Sequence, residues 1–162
     1  MPRVPEISKG RIYTLRERPV KEFIDRECGS FDVLTISSDA SPEEILDKIL
    51  DPENREDAVV VIAHKSEAPT VGLITNIDFL EWIRRKMAER KPIPKTAGFI
   101  SNTDFFFVTE DQPLQKAISL MKKNKVTHVM VLNNEKEKMF RGWVTRRSIL
   151  KKLGAELGGF PT

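Results

Sequence analysis

One cysteine, two histidines and two glutamines in 162 residues narrow the field before any motif is read. Cys28 stands alone, so no internal disulfide framework can form, and the chain suits a reducing, cytoplasmic compartment. With only Cys28, His64 and His128 to draw on, a zinc site of cysteines and histidines lacks ligands. No run of about 18 apolar residues occurs, so no membrane-spanning helix is expected. The opening Met1-Pro2-Arg3-Val4-Pro5 lacks the apolar core of a secretory signal, and none is expected. No nucleophile, base and orienting group can be assembled into a set, so the expectation is a protein that binds rather than an enzyme.

Charge, by contrast, is plentiful. Charged residues make up 31% of the chain, nearly balanced at a net +3. That abundance, with so little glutamine, leans toward a heat-adapted composition. The basic excess is mild and lacks the aromatic–basic interleaving of a nucleic-acid surface, so nucleic acid is not the expected partner. Arg84-Arg85-Lys86 and Lys122-Lys123-Lys125 read as solvated helix faces.

The chain is organised around two short stretches. Val71-Gly72-Leu73-Ile74-Thr75-Asn76-Ile77-Asp78 reads as a buried strand that runs straight into a helix. Gly72 permits a turn or a close backbone approach. Thr75 is a good N-cap with Asp78 three residues on, the spacing of a capping box. The same grammar returns as Gly142-Trp143-Val144-Thr145-Arg146-Arg147-Ser148, with Gly142 lying 70 residues after Gly72.

Around each junction the same elements recur. Val33–Ile36 predicts a strand. Ser41-Pro42-Glu43-Glu44 predicts a helix start, with Ser41 as cap, Pro42 at its first position and Glu44 as return partner. Ile45, Leu46 and Ile49 would form the apolar face of that helix. Ala58–Ile62 is a continuous apolar strand of the kind buried on both faces. Thr70–Ile74 is the strand before the junction, and a helix follows over 76–89. In the second copy, Phe105–Val108, Thr127–Leu132 and Met139–Val144 are strands. Ala117, Ile118, Leu120 and Met121 give a helix face, and the last helix runs from Arg146 to Leu157. Two β-α-β-β-α repeats of a mixed α+β class result. Each is too small to bury its sheet alone, so the repeats should pack sheet to sheet about a pseudo-twofold axis that creates two equivalent clefts.

The expected organisation is an N-terminal arm over 1–18, a first repeat over 19–90, a linker over 91–95, a second repeat over 96–153 and a tail over 154–162. The arm has a candidate strand at 11–15. A short helix over 19–25 would present Val20, Phe23 and Ile24 on one face, and residues 96–101 look like its counterpart.

Two such repeats, each ending in Gly-hydrophobic-hydrophobic-Thr-x-x-Asp or a near variant, resemble a tandem pair of CBS domains, the module named for cystathionine beta-synthase. The likeness covers about residues 19–153. It includes the helix entries at Asp39 and Asp111 and the buried strand Thr127-His128-Val129-Met130-Val131. The resemblance implies a regulatory, non-catalytic module that binds AMP, ADP, ATP or S-adenosylmethionine between repeats. It implies a stand-alone chain, a homodimer and an effector protein. It implies a first ligand site with adenine near Val33, Thr35, Ala58 and Val59, Thr75 toward phosphate and Asp78 on the ribose. A weaker second site would comprise Phe107, Thr127, His128, Thr145, Arg146, Arg147 and Ser148, weaker because Ser148 stands where aspartate is expected. Thr-x-x-Asp is equally a plain helix cap worth roughly 1 kcal/mol, and both roles can coexist. The rival functions are a ligand-free structural or dimerisation module and a weak nucleic-acid-binding regulator.

Overall fold

The computed structural model describes residues 15–63, 69–89 and 96–157. The expectations for 11–14, His64, the linker 91–95 and the end of the tail from 158 lie outside them. The described chain is a mixed α+β fold with two separate three-stranded sheets. It divides into two compact units. One holds the described residues among 27–105 together with 137–140. The other holds those among 1–26, 106–136 and 141–162.

In the first unit, a helical turn α1 (Phe31–Leu34) leads into β1 (Thr35–Ser37). Helix α2 spans Pro42–Leu50, β2 spans Ala58–Ile62, β3 spans Thr70–Thr75, and α3 spans Asn76–Ala88. The sheet order is β1-β2-β3, with β1 parallel and β3 antiparallel to β2. All five residues of β2 are buried, as its unbroken apolar run predicts for a central strand. Ser41 accepts a hydrogen bond from the Glu44 amide and Pro42 takes the first helical position, so α2 starts where the sequence places it. The core gathers Ile36, Ile45, Val59, Val61, Ile74, Phe79, Trp82 and Ala97.

Three local readings need correction. The strand expected from Val33 begins only at Thr35. The amides of Val33 and Leu34 both bond the Ser30 carbonyl, so a helical turn forms first and the β-branched Val33 sits inside it. Leu46 is exposed rather than part of the buried face of α2, which Ile45 and Ile49 supply. In the second copy the strand begins at Phe107, where pairing with the strand His128–Leu132 starts, and leaves Phe105 and Phe106 outside.

The second unit repeats the plan. It contains β4 (Phe107–Thr109), α5 (Leu114–Asn124), β5 (His128–Leu132), β6 (Phe140–Thr145) and α6 (Arg146–Leu157), after a short helix α4 (Ala97–Ile100) that belongs to the first unit. Its sheet order is β4-β5-β6, with β4 parallel to β5. Leu15, Val20, Phe23, Val108, Leu114, Ala117, Val129, Val131 and Val144 form its core. The helical segment expected over 19–25 is a 3₁₀ turn at Val20–Phe23, with Pro19 just before it.

In each unit a segment from elsewhere in the chain crosses the strand before the junction at its glycine. Asn102 bridges Leu73 in the first unit, and Ile24 bridges Val144 in the second. A Cβ on Gly72 would stand 2.5 Å from the Ser101 Cβ. One on Gly142 would stand 2.7 Å from Ile24 Cγ2, and Gly142 also holds φ at +140°. Both glycines are thus required by close approach, and Gly142 by its backbone conformation as well. Among the described residues no helix is long and apolar enough to cross a membrane.

Candidate functional site

The first junction collects its residues at one end of a sheet. Parallel pairing sets Thr35 opposite Val60, and antiparallel pairing sets Ala58 opposite Thr75. The starts of β1 and β2 therefore meet the end of β3, and α3 leaves from that same edge. The site residues are not equal in what they offer. Val33 lies on the turn α1 and is half-buried. Thr35 is 5% exposed, and its hydroxyl donates to the Phe31 carbonyl at 2.7 Å, closing that turn. Val59 is fully buried in the core, so only its backbone can serve a ligand. Ala58 is buried and small.

Thr75 and Asp78 form a true capping box. The Thr75 Oγ1 accepts from the Asp78 amide at 3.1 Å, and Asp78 Oδ2 accepts from the Thr75 amide at 3.0 Å. The helix-cap reading is therefore correct, and it leaves something over. Among the described residues the Thr75 hydroxyl proton and Asp78 Oδ1 take no further hydrogen bond. Both are half-exposed at the N-terminus of a 13-residue helix, where unsatisfied N–H groups and the helix dipole favour an anion.

The second junction has the same backbone and different chemistry. The Arg146 amide bonds the Thr127 carbonyl at 2.8 Å, as the Asn76 amide bonds Asp57 at 2.9 Å. Thr145 and Ser148 rebuild the box: the Ser148 amide donates to Thr145 Oγ1 and the Thr145 amide donates to Ser148 Oγ, each at 3.0 Å. The serine hydroxyl then donates its own proton back to the Thr145 carbonyl at 2.9 Å. Serine thus keeps the cap and commits both its acceptor and its proton to it. A carboxylate keeps the cap with one oxygen and has a second to give.

The Thr145 hydroxyl is also committed. It donates to Asp25 Oδ2, and Arg147 holds the same oxygen through Nε at 3.0 Å and its Nη2 at 2.8 Å. Asp25 is 6% exposed. His128 stands edge-on to Trp143 with ring centroids 4.6 Å apart. Phe107 is half-buried opposite Met130, while Thr127 and Arg146 are exposed. Both tryptophans are core residues, Trp82 stacked near Phe79 and Trp143 almost fully buried. Sequence reasoning missed Asp25. It lies 120 residues from Thr145, and no local spacing connects the two.

Known proteins share this fold. Residues 97–155 match the family model of the CBS domain. No curated protein matches the chain. Solved structures do match its fold. CBSX2 in complex with AMP is 17% identical, with a TM-score of 0.63 over 83% of this chain and 95% of that one. The CBS-domain pair of protein MJ0100, in complex with 5′-methylthioadenosine and S-adenosyl-L-methionine, is 19% identical, with a TM-score of 0.60 over 85% and 97%. The CBS domain of a CBS-domain-containing membrane protein from Sphaerobacter thermophilus is 18% identical, with a TM-score of 0.61 over 92% and 97%. The chain therefore carries a CBS domain in its second repeat and has the fold of a tandem CBS-domain pair.

Proposed function

We propose that this chain is a regulatory module that binds an adenosine compound at the Thr75–Asp78 junction and performs no chemistry on it. The observation that carries the reading is the uncommitted half of the capping box. Asp78 spends Oδ2 on the helix and retains Oδ1, and Thr75 retains its hydroxyl proton. In the proposed complex, the retained carboxylate oxygen accepts from the ribose hydroxyls. The threonine hydroxyl and the amide end of α3 face phosphate or another polar tail. Adenine lies against the small Ala58 and the half-buried Val33, with its edge read by backbone groups of β1 and β2 near Thr35 and Val59. Structures of the same fold in complex with AMP and with S-adenosyl-L-methionine support this class of ligand.

The second junction, with Ser148, Thr145 and Arg147 already engaged, is the weaker partner in this proposal. Occupancy of the first site would shift the module between states of different ligand affinity, and an effector protein would read the shift. Ile77 and Leu80 on α3 and Leu150 on α6 are apolar and exposed, which suits self-association into a homodimer. Isothermal calorimetry with AMP, ATP and S-adenosylmethionine tests the reading. Saturable heat with at least one of them is expected; none with any of the three contradicts it.

A further inference from the structure

The two junctions differ by more than serine for aspartate, because the crossing segments differ as well. At the first, the segment 97–105 pairs its Asn102 amide with the Leu73 carbonyl at 2.8 Å. At the second, the segment 19–26 pairs its Asp25 amide with the Trp143 carbonyl at 2.8 Å. Leu73 and Trp143 are 70 residues apart, the same offset as the two glycines, so Asn102 and Asp25 occupy matching places. Their side chains do opposite things. The Asn102 side-chain oxygen Oδ1 turns back to accept from the Asp104 amide at 2.9 Å, and among the described residues no hydrogen bond joins this side chain to Thr75 or Asp78. The Asp25 carboxylate accepts from the hydroxyl of the capping Thr145 and from the Arg147 guanidinium.

A buried carboxylate here puts a fixed negative charge at the amide end of α6, a 12-residue helix. That end, with its threonine hydroxyl and two following arginines, has the chemistry that receives an anion. We propose that Asp25 is an internal anion that occupies the second junction. It keeps phosphate-bearing ligands out of that junction and makes the two junctions differ in the class of ligand they accept. The phosphate-accepting role of the first junction rests on the function proposed above; the role of Asp25 at the second does not. A ligand phosphate arriving at Thr145 would meet a like charge that shares the same hydroxyl and the same guanidinium. Such a pair cannot both remain ionised in one desolvated place without a large cost.

The test reads both junctions at once from amide chemical shifts. Wild type, Asp25→Asn and Asp25→Ser are titrated with inorganic phosphate, and wild type separately with AMP. Asparagine keeps an oxygen that can accept from both Thr145 and Arg147, so it removes the charge while preserving the tether. Serine removes the acceptor pair in a second way. In wild type, phosphate should leave the amides of Arg146, Arg147 and Ser148 unmoved. In both variants it should shift them saturably, with a midpoint roughly tenfold or more below the highest phosphate concentration that leaves wild type unmoved. Variants that are folded by their own spectra and as insensitive to phosphate as wild type would overturn the proposal. Wild type that binds phosphate at those amides would overturn it without any variant. The AMP titration reads the first junction separately. No response at Asn76–Asp78 would refute the adenosine reading, while the phosphate arms alone decide the role of Asp25.

Discussion

Replacing Asp78 by serine separates the two roles of the first junction, and the second junction supplies the control. A serine at the third helical position can hold both halves of the cap, as Ser148 does: its Oγ accepts from the Thr145 amide and its own amide donates to Thr145 Oγ1, each at 3.0 Å. Stability should therefore fall by no more than about 0.5 kcal/mol, well inside the cost of losing a cap outright. Binding should respond differently. The retained carboxylate oxygen of Asp78 would be gone, and a hydrogen bond to a charged partner is worth about 1.5–3 kcal/mol. At about 1.4 kcal/mol per tenfold, affinity should drop by roughly 10- to 150-fold. Calorimetry gives the affinity and a thermal or urea melt gives the stability of the same sample. Asp78→Ser that binds as tightly as wild type would refute the reasoning and leave Asp78 a helix cap. Large loss of stability together with binding would also count against it, because the cap and the ligand would then share one oxygen.

Other substitutions test the surroundings. Ser148→Asp puts a second carboxylate on the cap of Thr145, whose hydroxyl Asp25 already holds, and should cost about 1–3 kcal/mol; the same change made with Asp25→Asn should recover most of it, as a double-mutant cycle in urea would show. Arg147→Ala takes the guanidinium away from the buried Asp25 carboxylate, and should destabilise by roughly 1–3 kcal/mol in the same urea assay. Gly72→Ala should lower the melting temperature because the new methyl overlaps Ser101, and Ser101→Gly, not Ser101→Ala, should rescue it, since the overlap reaches the Ser101 Cβ. Glu22 provides a pH prediction. Its hydrogen bond with Arg18 holds its carboxyl below the ordinary range, so its contribution is present at neutral pH and is lost as pH falls through the lowered value. The pair is partly exposed and screened, so the effect is small. Melts of Glu22→Gln and wild type should differ slightly at pH 7 and converge in acid.

The parts of this fold that were legible in the sequence are those written locally. The apolar run Ala58–Ile62, the Ser41-Pro42 helix start and the last helix from Arg146 to Leu157 follow from side-chain type and spacing, and the structure has them at the expected residues. The 70-residue echo between the glycines located both junctions, and the close approach read into Gly72 is an overlap that only hydrogen at that position avoids. The readings that failed depended on partners outside the local pattern. Val33 has strand character, but the Ser30 carbonyl captures two amides and winds the chain into a turn. Leu46 lies within the helical apolar pattern, yet the stripe that packs is narrower than the pattern. Asp25 is one aspartate after a short turn, and its importance arises because the segment 19–26 crosses β6 at Gly142. The contrast between Asp78 and Ser148 was visible as residue type. How fully the serine is consumed by its own cap required the hydrogen bonds.

Whether a half-used capping carboxylate holds a sugar is decided most directly by a crystal structure of the chain grown with AMP. Density is expected at the first junction, with a ribose hydroxyl within about 2.6–3.2 Å of Asp78 Oδ1. AMP bound elsewhere, with that oxygen facing solvent, would contradict it.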